Sequence, residues 1–136
     1  MIPKNLMIKF LVPVLSLFFL ASCEKEAGEG GTSTIMGRVK VKNYNSDFTI
    51  KYGEYYEEGI DVYIIYGNDS IYSDDFETGI DGWYRFEFLN KGKYRVYAMS
   101  ADSTRTSASG SIPVVKEVFI DENKTTVIVN DIVIFD

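Results

Sequence analysis

From residue 34 to the C-terminus the chain alternates apolar and polar residues with a period of two, and no long stretch keeps a helical period. Ile35, Gly37, Val39 and Val41 share one side of such a run, against Arg38, Lys40 and Lys42. Phe48–Tyr52 alternates briefly, and Ile60, Val62, Ile64 and Tyr66 form another inward set. Tyr84, Phe86 and Phe88 oppose Trp83, Arg85 and Glu87, and Tyr94, Val96 and Ala98 oppose Arg95, Tyr97 and Met99. Val114–Ile120 and Thr125–Phe135 read as two closing strands, with a bulge expected at Asn130-Asp131. Chains patterned in this way bury one face of each strand and leave the other in water. The punctuation agrees. Asp81-Gly82 ahead of an alternating run is a hairpin signal, Asn90-Lys91-Gly92 is a turn that needs a positive φ, and Asp121–Lys124 is a polar turn. The expectation is an all-β fold, an antiparallel β-sandwich of about seven strands over residues 34–136. A content of 46% hydrophobic and 15% aromatic residues is enough for its core.

The N-terminus has a different pattern. Lys4 and Lys9 precede an apolar run, Leu11–Leu20, that is too short to span a bilayer as a helix and contains Pro13. It ends in Leu20-Ala21-Ser22-Cys23, which resembles the lipobox of bacterial lipoproteins. The resemblance implies cleavage after Ser22 and a diacylglyceryl thioether on Cys23, the only cysteine of the chain. Acyl chains contribute about 0.8 kcal/mol per buried CH₂, so the mature protein would be anchored to a membrane without spanning it. Loss of Lys4 and Lys9 would make it more acidic than its precursor. Residues 23–33, rich in Gly, Ser, Thr and charge, read as a flexible tether. Cys23-Glu24-Lys25-Glu26 partly resembles the surface-export signal of Bacteroidetes lipoproteins, with Ala27 where a second acid is usual. This implies the outer membrane, with the cell surface slightly favoured over the periplasmic face. The expected organisation is a cleaved signal over 1–22, lipidated Cys and tether over 23–33, and the sandwich over 34–136.

Composition removes many activities. No His is present, so His-based triads and metal sites are excluded, and a single Cys excludes an internal disulfide and a Cys-cluster zinc site. A net charge of −6 has the wrong sign for a nucleic-acid binder. Asp69, Asp74, Asp75, Glu77 and Asp81 cluster in sequence, but without EF-hand spacing, and a solvated acidic face explains them as well as Ca²⁺ binding does. We expect no catalytic residue, metal or cofactor.

Asp81-Gly82-Trp83-Tyr84-Arg85-Phe86 and the following Leu89-Asn90-Lys91-Gly92-Lys93-Tyr94-Arg95-Val96 resemble the core motif of carboxypeptidase regulatory-like domains. These belong with the transthyretin-like, or prealbumin-like, sandwiches. The resemblance covers roughly residues 34–136 and implies a structural or binding role. Some relatives join a first-strand Lys to a last-strand Asn with the help of a buried acid. Lys40 or Lys42 and Asn130 could offer the pair, but Ala98 stands at the acid's position, so condensation is not expected. The related hydrolases need histidines and a different C-terminal tail.

Two functional readings remain. The first is a non-catalytic cell-envelope lipoprotein whose sandwich meets an envelope protein. The second is a carbohydrate-binding accessory lipoprotein, with Tyr55, Tyr56 and Trp83 as a stacking platform for sugar rings. The platform requires the three rings to share one open face. Asp69-Ser70-Ile71 and Asp102-Ser103-Thr104 resemble a short O-glycosylation sequon, making Ser70 and Ser103 candidate glycan acceptors. Residues 100–111, rich in Ser and Thr, read as a mobile loop.

Overall fold

The computed structural model describes residues 26–136. The signal segment, its cleavage residues Leu20, Ala21 and Ser22, and Cys23 lie outside the described residues. No helix among the described residues is long and apolar enough to cross a membrane.

The described chain is an all-β sandwich of nine strands: β1 (Glu29–Tyr44), β2 (Lys51–Tyr56), β3 (Asp61–Tyr66), β4 (Asp74–Glu77), β5 (Trp83–Leu89), β6 (Gly92–Ala101), β7 (Ser111–Ile120), β8 (Thr126–Ile128) and β9 (Ile132–Phe135). One sheet has the order β4-β3-β6-β7 and is antiparallel throughout. The other is built around β1, whose length lets it pair antiparallel with β5 and β2 and parallel with β8 and β9. The second sheet is therefore mixed, not antiparallel as expected. The closing strand is cut in two around Asn130-Asp131, where the bulge was expected, and its halves pair with different stretches of β1.

The inward residues meet as the alternation predicts. Ile35, Val39, Val41, Tyr84, Phe86, Ile132 and Ile134 of one sheet face Val62, Ile64, Tyr94, Val96, Ala98 and Val118 of the other. Phe88 is the exception. It adopts a left-handed φ of 59° and is 69% exposed, while Leu89 takes the inward place at 1%. The register of β1 against β5 slips over this stretch, so a bulge reverses the alternation by one residue.

Two further expectations change. Asp81-Gly82 is not a hairpin turn. Ile80–Gly82 is a short 3-10 turn that carries the chain from β4 in one sheet to β5 in the other. The tether expected to run to residue 33 ends earlier: Gly28 is buried, Ser33 is fully buried, and β1 begins at Glu29. Gly28 N–H donates to the Tyr94 hydroxyl at 2.8 Å, and that hydroxyl donates to the Asn90 carbonyl at 2.6 Å. Glycine here permits close approach; a Cβ on Gly31 would lie 2.0 Å from the Leu89 carbonyl oxygen.

The loop after β6 is organised by a single carboxylate. Asp102 is 4% exposed, and its oxygens accept backbone N–H bonds from Thr104, Thr106 and Ser107. The Thr104 hydroxyl, then these amides, hold the Asp102 carboxyl well below the usual carboxylate range.

Candidate functional site

Tyr55, Tyr56 and Trp83 do not form one platform. Neighbours in a strand point to opposite faces, and β2 obeys this. Tyr55 stands opposite the inward Val41, whereas Tyr56 stands opposite the outward Lys40. Tyr55 is 40% exposed only because β2 lies at the rim, and its hydroxyl accepts a bond from the Asn43 amide at 3.3 Å. Trp83 stands opposite Arg38 on the same face as Tyr56. The Arg38 guanidinium lies 3.4 Å above the Tyr56 ring and 5.1 Å from the Trp83 ring. Its Nε donates to the Asp81 carbonyl at 2.9 Å, and the Tyr56 hydroxyl donates to Asp131 at 2.7 Å. A ring face that a sugar would need is thus covered by a cation. This arrangement ties three strands and a turn together.

The open face of the other sheet holds a different aromatic group. Tyr63 on β3 and Tyr97 on β6 are directly opposed in register, and both point away from the core. Their rings stack at 5.0 Å with 23° between planes. Tyr72, from the loop between β3 and β4, packs on Tyr63 at 4.7 Å and is 46% exposed. That loop is fixed where it crosses the sheet. Ser73 N–H donates to the Ile64 carbonyl at 2.8 Å, and the Arg95 guanidinium donates to the Asp69 carbonyl. Below it Ile65, though outward in register, is only 9% exposed.

Around the three rings the chemistry is mixed. Asp75 stands opposite Tyr63 on one side, and exposed Val115 stands opposite Tyr97 on the other. Burial, with smaller pushes from Asp61, Tyr72, Tyr97 and Asp75, raises the Tyr63 phenol above its ordinary value. Burial, then Tyr72, raises Tyr97. The Tyr63 and Tyr97 phenols are therefore hydroxyl donors in neutral solution. Of the three rings only Tyr63 reaches a depression of about 440 Å³, which is lined by residues of both sheets, among them Val41, Asp61, Met99 and Phe135. Ring surface, hydroxyl donors and carboxylate acceptors are what a polyhydroxylated ligand uses.

Tyr63 was legible as an aromatic strand residue, but its role depends on meeting Tyr97 and Tyr72. The signal was the in/out alternation, which places Tyr63 and Tyr97 outward in their own strands. What was missing was which strands pair.

The remaining expectations are placed as follows. Ser70 is exposed in the loop beside Tyr72, and Ser103 is exposed at the opposite end of the sandwich. Among the described residues no three acidic side chains come together to hold a metal ion. Opposite Lys40 and Lys42 on β9 stand Val133 and Phe135, not Asn130, and Lys40 pairs with Glu54 at 3.4 Å. Ala98 lies wholly within the apolar core.

No protein-family model matches the chain, and no curated protein sequence does. Among solved structures the chain is similar to a Pseudomonas aeruginosa protein described as a candidate carbohydrate-binding protein, at 13% identity and a TM-score of 0.48, over 76% of this chain and 91% of that one.

Proposed function

We propose that this is a non-catalytic cell-envelope lipoprotein whose sandwich binds an uncharged glycan on the Tyr63–Tyr72–Tyr97 face. The lipobox-like Leu20-Ala21-Ser22-Cys23 supports anchoring through Cys23, and the acid- and Lys-containing run after it supports the outer membrane, facing outward. The observation that carries the binding role is the group of three packed tyrosines on an open sheet face beside Asp61 and Asp75. Sugar CH groups would lie against the free faces of Tyr72 and Tyr97, since Tyr63 is packed against both, and hydroxyls would be shared between phenols and carboxylates. The neighbouring acids of β4, Asp74, Asp75 and Glu77, would repel anionic sugars.

A glycan array probed with the mature protein tests this. Wild type should retain one or more neutral oligosaccharides. Tyr97→Ala and Tyr72→Ala should each weaken binding by about 1 kcal/mol, roughly fivefold in Kd, while Trp83→Ala should leave it unchanged. No bound glycan, or a loss confined to Trp83→Ala, would overturn the reading.

A further inference from the structure

The strands of the sandwich run between two ends of different character. At one end lie Ala27 and Gly28, the turn between β5 and β6, the loop after β3 and the turn between β7 and β8. They enclose a polar groove of about 1060 Å³ whose lining includes Asn68, Lys91, Gly92, Asn123 and Lys124. At the other end lie the turn between β1 and β2 and the Asp102 loop, joined by an Arg105–Asp47 pair at 3.2 Å. The ten residues of β6 connect the two ends, a rise of about 33 Å.

The chain enters at the first end, and it enters already fixed. Ala27 packs against the core, and a Cβ on Gly92 would come within 2.7 Å of the Ala27 Cβ. Gly28 is held through both its backbone groups, its N–H by the Tyr94 hydroxyl and its carbonyl by the Asn90 N–H at 2.8 Å. Only Glu24, Lys25 and Glu26 separate Cys23 from this docked segment. Four residue steps span at most about 14 Å. That is less than half the length of β6.

We infer that the lipid on Cys23 seats the sandwich end-on, with the Asn68, Lys91 and Asn123 end against the lipid headgroup layer. This rests on the anchoring proposed above. The leash cannot reach around the domain, so the Asp102 end is held away from the bilayer. Charge does not set the orientation, because this end carries Lys91, Lys93 and Lys124 alongside Glu26, Asp69 and Asp121. Lys91 and Lys124, exposed and outside every ion pair among the described residues, are placed to meet lipid phosphates. The Tyr63–Tyr97 face then looks sideways, parallel to the membrane, and Ser103 is among the residues farthest from it.

The test uses the full lipidated protein in vesicles of phosphatidylethanolamine and phosphatidylglycerol that carry a headgroup-attached spin label. Cys23 is the only native cysteine and is consumed by the lipid, so Asn68→Cys, Asn123→Cys, Ser46→Cys and Ala108→Cys each give one site for a fluorophore. Labels at 68 and 123 should be quenched several-fold more strongly than labels at 46 and 108. A long Gly-Ser insert between Glu26 and Ala27 should abolish the difference. Equal or reversed quenching, with the lipid mass on Cys23 confirmed in the same sample, would overturn the orientation alone. Absence of that mass would overturn the anchor itself.

Discussion

Gly37 and Tyr84 are opposed across β1 and β5, and the ring of one occupies the space of the other's missing side chain. A Cβ on Gly37 would sit 2.5 Å from the Tyr84 hydroxyl oxygen. That hydroxyl is buried without a hydrogen-bond partner among the described residues, and burial pushes its pKa far up. The two residues therefore predict opposite outcomes. Gly37→Ala overfills the core and should cost about 1–3 kcal/mol in a urea melt. Tyr84→Phe removes an unpaired polar atom and should leave stability unchanged or higher, since such an atom costs about 1–3 kcal/mol. A clear loss in Tyr84→Phe would mean that the hydroxyl has a partner. Inward and outward residues were mostly legible from the sequence at this scale, because burial follows the period of the backbone. Phe88 was not, because a left-handed residue in a strand reverses the alternation without any change in composition.

Strands were easier to recognise than their partners. β3, β5, β6 and β7 lie where alternation puts them, because side-chain pattern is local. Pairing depends on the path of the chain between sheets, which the turn residues do not encode. Asp81-Gly82 and Asn90–Gly92 both looked like tight turns, and both carry the chain across the sandwich. The same gap hid the tyrosine face, since Tyr63, Tyr72 and Tyr97 become one surface only when β3 lies beside β6. The Asp102 loop shows composition misleading in the other direction: a Ser- and Thr-rich segment is tied to one carboxylate. Its folded pKa lies below that of an unfolded Asp. The stabilisation is therefore fully present above about pH 4 and is lost as the pH falls through the lower folded value. Asp102→Ala should raise amide exchange across residues 103–110 at pH 7 while sparing β6. Exchange that stays slow in this variant would assign the loop's order to other contacts.

For the whole molecule, the consequence is an acidic body whose two sheets present different outer faces. The β1 sheet ties Tyr56 and Trp83 down through Arg38, while the β6 sheet carries the packed tyrosines on its outer face. If the chain is held three residues from a lipidated Cys23, that tyrosine face is carried at a fixed height above the membrane. Both the surface role and the end-on orientation depend on that one modification. Intact mass spectrometry of the protein purified from bacterial membranes tests it most directly. The account predicts a chain that begins at Cys23 and carries the mass of a diacylglyceryl group, with or without an N-acyl chain. A mature chain with an unmodified Cys23 thiol, or one that retains residues 1–22, would contradict it.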